Sequence, residues 1–302
     1  NENGILDNLD KGILAIQNYK DAIPLQGDIL YNGNLQSWVR FAKSLKIKYL
    51  LRISTKVNVS AKLQALYTEG NYITTNTQNA VFSFTNSAPN FVLSKTMEDI
   101  LVDLNDTRIS KLFRPFANST SGQYKGLLNG INAATTSVVL ANYSLAGTSF
   151  REDTSTLKAN FITAWEVQFA LAEAAEKGLI VANGRSLYEN GVNMAFQYWN
   201  TTLPTTYLTG NAAYNAVGTS PIQQIITQKW IANTINGYEG WVEYRRTGFP
   251  ALRTISASLN NNLIPVRMPY PAEEEALNRE NYNIAAAATD NNSINFPVWW
   301  NK

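Results

Sequence analysis

The stretch that decides the fold is FITAWEVQFALAEAAEKGLIVANGRSLYENGVNMAFQYW, residues 161–199. Its apolar residues recur at helical spacing, which predicts two antiparallel helices, the second beginning at about Ser186. Gly178 is expected to end the first helix, because glycine adopts the left-handed cap conformation at little cost. The first helix combines small residues that let backbones approach with bulky residues that fill the gaps beside them. The small ones are Ala164, Ala170, Ala172, Ala174 and Ala175, and the bulky ones are Phe161, Trp165, Phe169 and Leu171. Such a pair cannot bury both of its faces, so it predicts neighbouring pairs that stack on it.

Segments with helical periodicity occur on both sides of this pair. They are residues 7–19, 35–54, 60–69, 94–104, 222–233, 238–247 and 272–278. Residues 71–147 are instead rich in Asn, Ser and Thr, with short apolar runs at 81–84 and 91–93, and glycine-bounded segments that predict surface loops or short hairpins. A loop region of this length in a compact chain is usually functional or poorly ordered. The chain therefore predicts an all-α fold of helix pairs with long irregular loops and few short strands.

Composition excludes several classes of function. The 302 residues include no Cys and no His, which removes thiol nucleophiles, histidine triads, disulfides, and zinc sites built on those residues. The net charge is +2 and no basic run stands out, so nucleic acid is not an expected partner. Charged residues make up 16% of the chain, against about 25% in an average protein, so Asn, Gln, Ser and Thr must cover much of the surface.

Aromatic residues divide into a helical set and a loop set. The helical set is predicted to be core from its apolar-face spacing: Trp38, Trp165, Trp199, Trp230 and Trp241. The loop set supplies candidate ligand-binding residues, because an aromatic face offers area to a sugar ring at small entropic cost. These candidates are Tyr124, Tyr143, Phe150, Tyr207 and Tyr214, with Arg151 as a polar partner. The alternative for each is that it packs onto a helix beneath it, and for Arg151 that it lies in a solvated loop.

Three charged or polar runs have structural interpretations. Arg245 and Arg246 are expected to tie helix ends to carboxylates such as Glu239 or Glu243, and Arg245 to stack on Trp241. The run 273–275, three glutamates after a proline, predicts a helix N-terminus. The run 290–292, Asp-Asn-Asn, has oxygen ligands for calcium but lacks the alternation and closing glutamate of a calcium loop, so no metal site is predicted.

Five motifs in a fixed order point to a family. They are YNGN at 31–34 with WVRFAKSL at 38–45 and RIS at 52–54; DTR at 106–108 followed by YKG at 124–126; EVQFALAEAAEKG at 166–178; the segment 226–252 containing QKWIA, GYEGW and EYRRTGFP; and IPVR at 264–267 with YP at 270–271. Together they cover nearly the whole chain. The sequence resembles the SusD/RagB family of outer-membrane nutrient-binding lipoproteins of Bacteroidetes-type bacteria.

The resemblance implies a fold, a location and partners. It implies a tetratricopeptide-like α/α fold, with residues 1–302 as a single SusD-like domain that lacks the family's N-terminal helices and lipidated cysteine. It implies attachment to the outer cell surface through that lipid anchor as the only contact with the membrane. The implied partners are a glycan or oligosaccharide ligand and a SusC-like TonB-dependent transporter, to which the ligand is delivered.

The function expected from these features is non-catalytic binding of a glycan or another oligomeric nutrient, without a cofactor. The sequence contains no G-x-S-x-G, no phosphate loop and no dinucleotide fingerprint. One alternative is a helical-repeat scaffold that binds other proteins. Another is a carbohydrate-active enzyme, since glycoside hydrolysis needs only two carboxylates.

Overall fold

A computed structural model describes residues 4–20, 25–83, 91–132, 134, 136–152, 157–255 and 257–301. Helices dominate this part of the chain, which agrees with the predicted all-α class. They are α1 (Ile5–Asn18), α2 (Leu35–Ile53), α3 (Ser60–Glu69), α4 (Lys95–Asp103), α5 (Ile109–Leu112), α6 (Thr148–Arg151), α7 (Ala164–Glu176), α8 (Gly184–Tyr198), α9 (Pro221–Ala232), α10 (Gly237–Thr247), α11 (Ala272–Leu277) and α12 (Arg279–Ala287). None of the helices in these ranges is both long and apolar enough to cross a membrane.

Side-chain caps explain where several helices begin. Asn34, Ser94, Asn183, Ser220 and Asn236 each accept a hydrogen bond from the backbone N–H three residues later, at the starts of α2, α4, α8, α9 and α10. Such a bond satisfies one of the backbone donors that a helix N-terminus leaves free. Glycines with φ near +70° to +80° follow α3, α7 and α10, and Gly178 ends the first helix of the opening stretch as predicted.

The pair α7–α8 lies at the centre of the molecule. Residues 164–174 of α7 are all buried, and Trp165 and Phe169 are fully enclosed. Helices α2 and α9 both pack against α7, and α1 and α10 pack against α2 and α9 respectively. The prediction that neighbouring helices would cover both faces of the pair is therefore confirmed.

The only pairing of strands within the described ranges joins β1 (Ala80–Ser83) to β2 (Lys158–Ile162) in an antiparallel arrangement. Phe161 was expected to belong to the first helix of the central pair, and this is wrong. It lies in β2 with 54% of its surface exposed, and the helix begins at Ala164. The apolar run 81–84 overlaps β1, although Phe84 lies outside the described residues.

The C-terminal region contains one helix that the sequence did not reveal. The glutamate run 273–275 begins α11 after Pro271, as predicted. No helix is predicted from the sequence over residues 279–287, but they form α12. Only Ala286 of α12 is buried, so the helix has no apolar stripe that periodicity could detect.

Candidate functional site

The candidate site is a surface of loops, residues 114–127 and 139–152, which we call the loop face. Its two segments run side by side: the Asn118 amide donates to Ala141 O at 3.1 Å, and the Ser144 amide donates to Lys125 O at 2.8 Å. Residues 91–94 support both segments, through isolated bridges from Val92 to Leu145 and from Ser94 to Leu127. The loop face is thus held by backbone hydrogen bonds, which favour a preformed surface.

Gly126 allows this close approach. A Cβ built on it would lie 2.5 Å from Ser94 O, so a side chain at this position would collide with backbone. The Gly126 amide also donates to Glu98 Oε2 of α4 at 2.8 Å. These contacts give a structural reason for the glycine in the YKG motif, and they fix Tyr124 and Lys125 beside it.

The loop face displays amide and charged groups. Asn118 Nδ2 donates to Asn142 Oδ1 at 2.7 Å, and each of these side chains keeps further hydrogen-bonding capacity. Arg114 Nη2 donates to both oxygens of Glu152, at 2.8 and 3.1 Å, and Arg114 Nε donates to Ala146 O. Lys125 is exposed. Side chains of these types hydrogen-bond the hydroxyl groups of sugars.

The two tyrosines predicted for this face lie on its adjacent segments. The Tyr143 ring is partly exposed, with Lys125 Nζ 5.6 Å from its centroid. Tyr124 packs partly against the core, and burial raises the pKa of its hydroxyl. Arg151 is exposed at the end of α6 and forms no hydrogen bond or ion pair with the residues that the structure describes. Tyr124, Tyr143 and Arg151 therefore remain predicted ligand-binding residues. The sequence did not single out Asn118, Asn142 or Lys125, because such residues are common in loops.

Phe150 cannot present a ring to a ligand from a surface loop, and that prediction is wrong. It is 0% exposed and packs between Phe91, with ring centroids 4.9 Å apart, and Trp199, at 5.7 Å. Because α6 has only four residues, Phe150 resembles a loop residue in sequence, but its ring anchors the loop face to Trp199 at the end of α8.

Tyr207 and Tyr214 are also buried, at 3% and 6% exposure, so the prediction of accessible rings is wrong for them too. Tyr207 donates from its hydroxyl to Asp106 Oδ2 at 2.6 Å, and burial raises the pKa of this hydroxyl. Tyr214 donates to Glu176 Oε2 at 2.5 Å, and burial together with this carboxylate raises its pKa. Both rings fasten the connector between α8 and α9 to the helical core.

The five tryptophans predicted to be core divide into two groups. Trp165 and Trp199 are buried, and Trp230 packs partly buried against the core. Trp38 is only partly buried and lines an apolar cleft of about 390 Å³ with Phe161, Phe82 and the segment 25–30. Trp241 is also partly buried, and the Arg245 guanidinium stacks 3.7 Å from its ring centroid, as predicted.

The remaining charged runs have structural partners. Arg246 forms ion pairs with Glu173 and Glu243, which confirms the predicted tie to a carboxylate. In the 290–292 run, Asn292 Oδ1 accepts from Arg267 Nη1 at 3.0 Å, so a cationic guanidinium occupies the position next to this oxygen. In the described ranges no group of three or more acidic side chains is placed to hold a metal ion.

Comparison with known proteins decides the family. A family model described as "SusD-like, starch-binding associating with outer membrane" matches residues 3–271. The chain belongs to this SusD-like family. No curated protein matches its sequence significantly.

Solved structures agree with the SusD-like fold. A SusD homologue from Bacteroides fragilis superposes with a TM-score of 0.84 at 23% identity, covering 98% of this chain and 74% of the homologue. A SusD homologue from Bacteroides uniformis gives a TM-score of 0.76 at 28% identity, covering 98% and 71%. A chitin-binding SusD homologue from Flavobacterium johnsoniae gives 0.81 at 21% identity, also covering 98% and 71%.

Proposed function

We propose that this SusD-like protein binds a glycan at its loop face without cleaving it and delivers it to a transporter in the outer membrane. The observation that carries the proposal is the partly exposed Tyr143 ring beside Lys125 and the Asn118–Asn142 amide pair, in a family described as starch-binding. A starch or chitin oligosaccharide is the ligand class that the family and the chitin-binding homologue support.

The chemistry of the loop face suits such a ligand. The Tyr143 ring offers an apolar face to the C–H side of a sugar, while the two asparagines and Lys125 offer donors and acceptors to its hydroxyls. A shallow surface of this kind contacts a few sugar units at once, and its groups are already held in place. We therefore expect weak, entropically inexpensive binding of oligomers in preference to monomers.

Catalysis is not part of the proposal, because residues 114–127 and 139–152 contain one acidic residue, Glu152, whereas glycoside hydrolysis uses a pair of carboxylates. Both oxygens of Glu152 accept hydrogen bonds from Arg114, so this carboxylate already has a partner within the protein.

Calorimetric titration with maltoheptaose and chitohexaose tests the glycan site. Tyr143→Ala and Asn142→Ala should each weaken binding of the preferred oligosaccharide about tenfold, the loss expected when one ring contact or hydrogen bond of about 1.4 kcal/mol disappears. Tyr238→Ala is the matched control, since Tyr238 is 71% exposed on α10, outside the loop face. Unchanged affinity in the loop-face variants would reject this site, and release of reducing ends during incubation would reject non-catalytic binding.

The transporter, the lipid anchor and the single-domain organisation of residues 1–302 are parts of the same proposal. The family description supports association with the outer membrane. The protein, isolated from outer membranes under mild detergent, should carry a TonB-dependent β-barrel with it. If it instead retains only partners from outside the membrane, delivery to a transporter is rejected.

A second candidate is a scaffold for other proteins. The observation that favours it is the apolar cleft beside Trp38, where Ile29 is 77% exposed and Phe161 is 54% exposed. Replacing Ile29 and Phe161 by serine should then abolish a protein complex while leaving oligosaccharide titrations unchanged.

A further inference from the structure

A small groove with both polar and apolar walls lies away from the loop face, between α4, the connector that precedes α9, α9 itself and the segment after α10. Its volume is about 150 Å³. Sites for drug-sized ligands usually measure about 300–1,000 Å³, so this groove has room for a single small ring and not for an extended chain. Polar groups come from Asp103, Gln223 and Thr227, and the apolar wall comes from Leu104 and Pro250.

The polar groups of the groove keep unused hydrogen-bonding capacity. Within the described ranges, the side chains of Gln223 and Thr227 form no hydrogen bond or ion pair. They are four residues apart on α9, so they lie on one face of that helix. The Asp103 carboxylate accepts only from Asn211 Nδ2, at 3.3 Å, among the described donors. A donor, several acceptors and a carboxylate are therefore available to a ligand.

The groove is nevertheless firmly built. Gln224, next to Gln223 in sequence, is buried, and its Nε2 donates to Asn211 O and to Thr219 Oγ1, both at 2.9 Å. Asn211 Nδ2 in turn donates to Asp103 O at 3.0 Å, which joins the connector to the end of α4. These bonds hold together the elements from which Asp103, Gln223 and Thr227 project, so the shape of the groove does not depend on a ligand.

We propose that this groove binds one sugar ring, either a free hexose or a terminal unit of a glycan. The hydroxyls of a sugar match the carboxylate of Asp103 and the amide of Gln223, which line the same groove, and its C–H face matches the surface of Leu104 and Pro250. The class of ligand accords with the proposed function, but the site is a different one. The loop face contacts the N-terminal end of α4 through Ser94 and Glu98, whereas the groove lies at its C-terminal end, about 13 Å along a nine-residue helix.

NMR titration of the full chain with D-glucose and with N-acetyl-D-glucosamine tests the proposal, with glycerol as a small polyol for comparison. At least one sugar should shift the backbone amides of Asp103, Gln223 and Thr227 in a saturable manner. Equal shifts from glycerol, or no shift at these amides, would overturn the proposal. Shifts there caused by Ca²⁺ but by neither sugar would overturn it as well, since they would identify a cation site.

Substitutions in the groove test whether individual side chains contact the sugar. Asp103→Asn and Thr227→Val should each weaken sugar binding about tenfold, the effect of losing one hydrogen bond to a polar or charged partner. Thr227→Ser keeps the hydroxyl and should retain affinity within about twofold. If Thr227→Val binds as tightly as Thr227→Ser, the groove is not the site. Gln223→Ala, at the rim of the groove, gives an independent test should either variant fold poorly.

Different results would reject the groove and the loop face as binding sites. Tyr143→Ala should leave the monosaccharide titration unchanged, and Asp103→Asn should leave the ring contact of the loop face unchanged. Loss of oligosaccharide binding in Tyr143→Ala without any monosaccharide shift would therefore reject the groove alone.

Discussion

Arg108 is fully buried, and its surroundings show why the DTR motif at 106–108 is structural. Its Nε and Nη2 donate to the two oxygens of Asp106, at 3.0 and 2.6 Å, and Nη2 also donates to Gln228 Oε1 at 2.7 Å. Burial would lower the pKa of Arg108, but Asp106 raises it, so that the guanidinium stays charged. Tyr207 completes the group, and Phe196 covers the guanidinium with its ring centroid 4.4 Å away. One short motif thus joins the loop region to the connector before α9 and to α9.

Asp106→Asn should be among the most damaging single changes in the chain. The amide keeps the shape of the side chain but leaves the Arg108 guanidinium buried without a counter-charge. We expect the free energy of unfolding to fall by about 3–5 kcal/mol. Urea denaturation measures this loss. Asp10→Asn is the control, because Asp10 pairs with Lys46 at an exposed position and should cost less than about 1 kcal/mol. A loss within that range for Asp106→Asn would contradict the structural role of the motif.

At the scale of elements, the contact of α7 with α8 depends on a glycine. A Cβ built on Gly191 of α8 would lie 2.7 Å from Phe169 Cε1 of α7, and the Phe169 ring is fully enclosed. Gly191→Ala should therefore destabilise the protein by up to about 2 kcal/mol, because an overpacking cost of about 1–3 kcal/mol exceeds the gain of about 1 kcal/mol in helix propensity. Phe169→Leu in the same chain should recover part of the loss.

Gly12 provides the matched control for this prediction. It also lies inside a helix, α1, but no atom lies within 4 Å of a Cβ built there. Gly12→Ala should raise the midpoint of thermal unfolding, since only helix propensity changes. If Gly191→Ala raises it equally, α7 and α8 are not packed as closely as the structure shows.

Most helices could be predicted because the residues that define each of them, its apolar repeat and its caps, are neighbours in sequence. The periodicity of residues 35–54 and 60–69, and the caps at Asn34 and Gly178, lie within the elements that they define. Strand β2 depends instead on β1, about eighty residues earlier, so a local pattern assigned Phe161 to the following helix. Helix α12 was missed because it buries almost nothing.

The site residues were harder to predict because their burial depends on residues that are distant in sequence. Tyr207 looks like a loop aromatic in sequence, and its burial depends on Asp106, 101 residues earlier. Phe150 is buried by Phe91 and Trp199, neither of which is near it in sequence. For Tyr143, the residue type and its position in a loop both indicate a ring that solvent can reach, and the ring is partly exposed in the structure. Burial of a loop side chain is decided by tertiary contacts, which residue types alone do not encode.

At the scale of the whole molecule, a network of buried ion pairs joins four helices. Lys48 of α2 contacts Glu166 of α7 at 2.7 Å and Glu239 of α10 at 3.0 Å. Lys229 of α9 contacts Glu243 of α10 at 3.2 Å. Two further pairs complete the network. Arg52 of α2 contacts Glu239 of α10, and Arg246 of α10 contacts Glu173 of α7. Helix α10 is thus tied by charge to α2, α7 and α9, and α7 is tied to α2 and α10, in addition to the apolar packing around α7.

This network makes stability depend on acid pH. Burial alone would raise the pKa values of Glu173, Glu239 and Glu243, but the neighbouring cations lower them more, so all three lie below the ordinary value of 4.5. A carboxylate whose pKa is lower in the folded state stabilises the protein above the unfolded pKa and loses this contribution as the pH falls through the folded value.

Unfolding free energy from urea titrations should therefore be flat from pH 7 to about 5.5. These three carboxylates should then make it fall with decreasing pH by up to about 4 kcal/mol per unit, about 1.4 for each of them. Glu243→Gln should lower stability at pH 7 and reduce this slope by up to one third, because one proton fewer is taken up on unfolding. A slope unaffected by Glu243→Gln would mean that other carboxylates control acid unfolding, and that the four helices are held together by their apolar contacts alone.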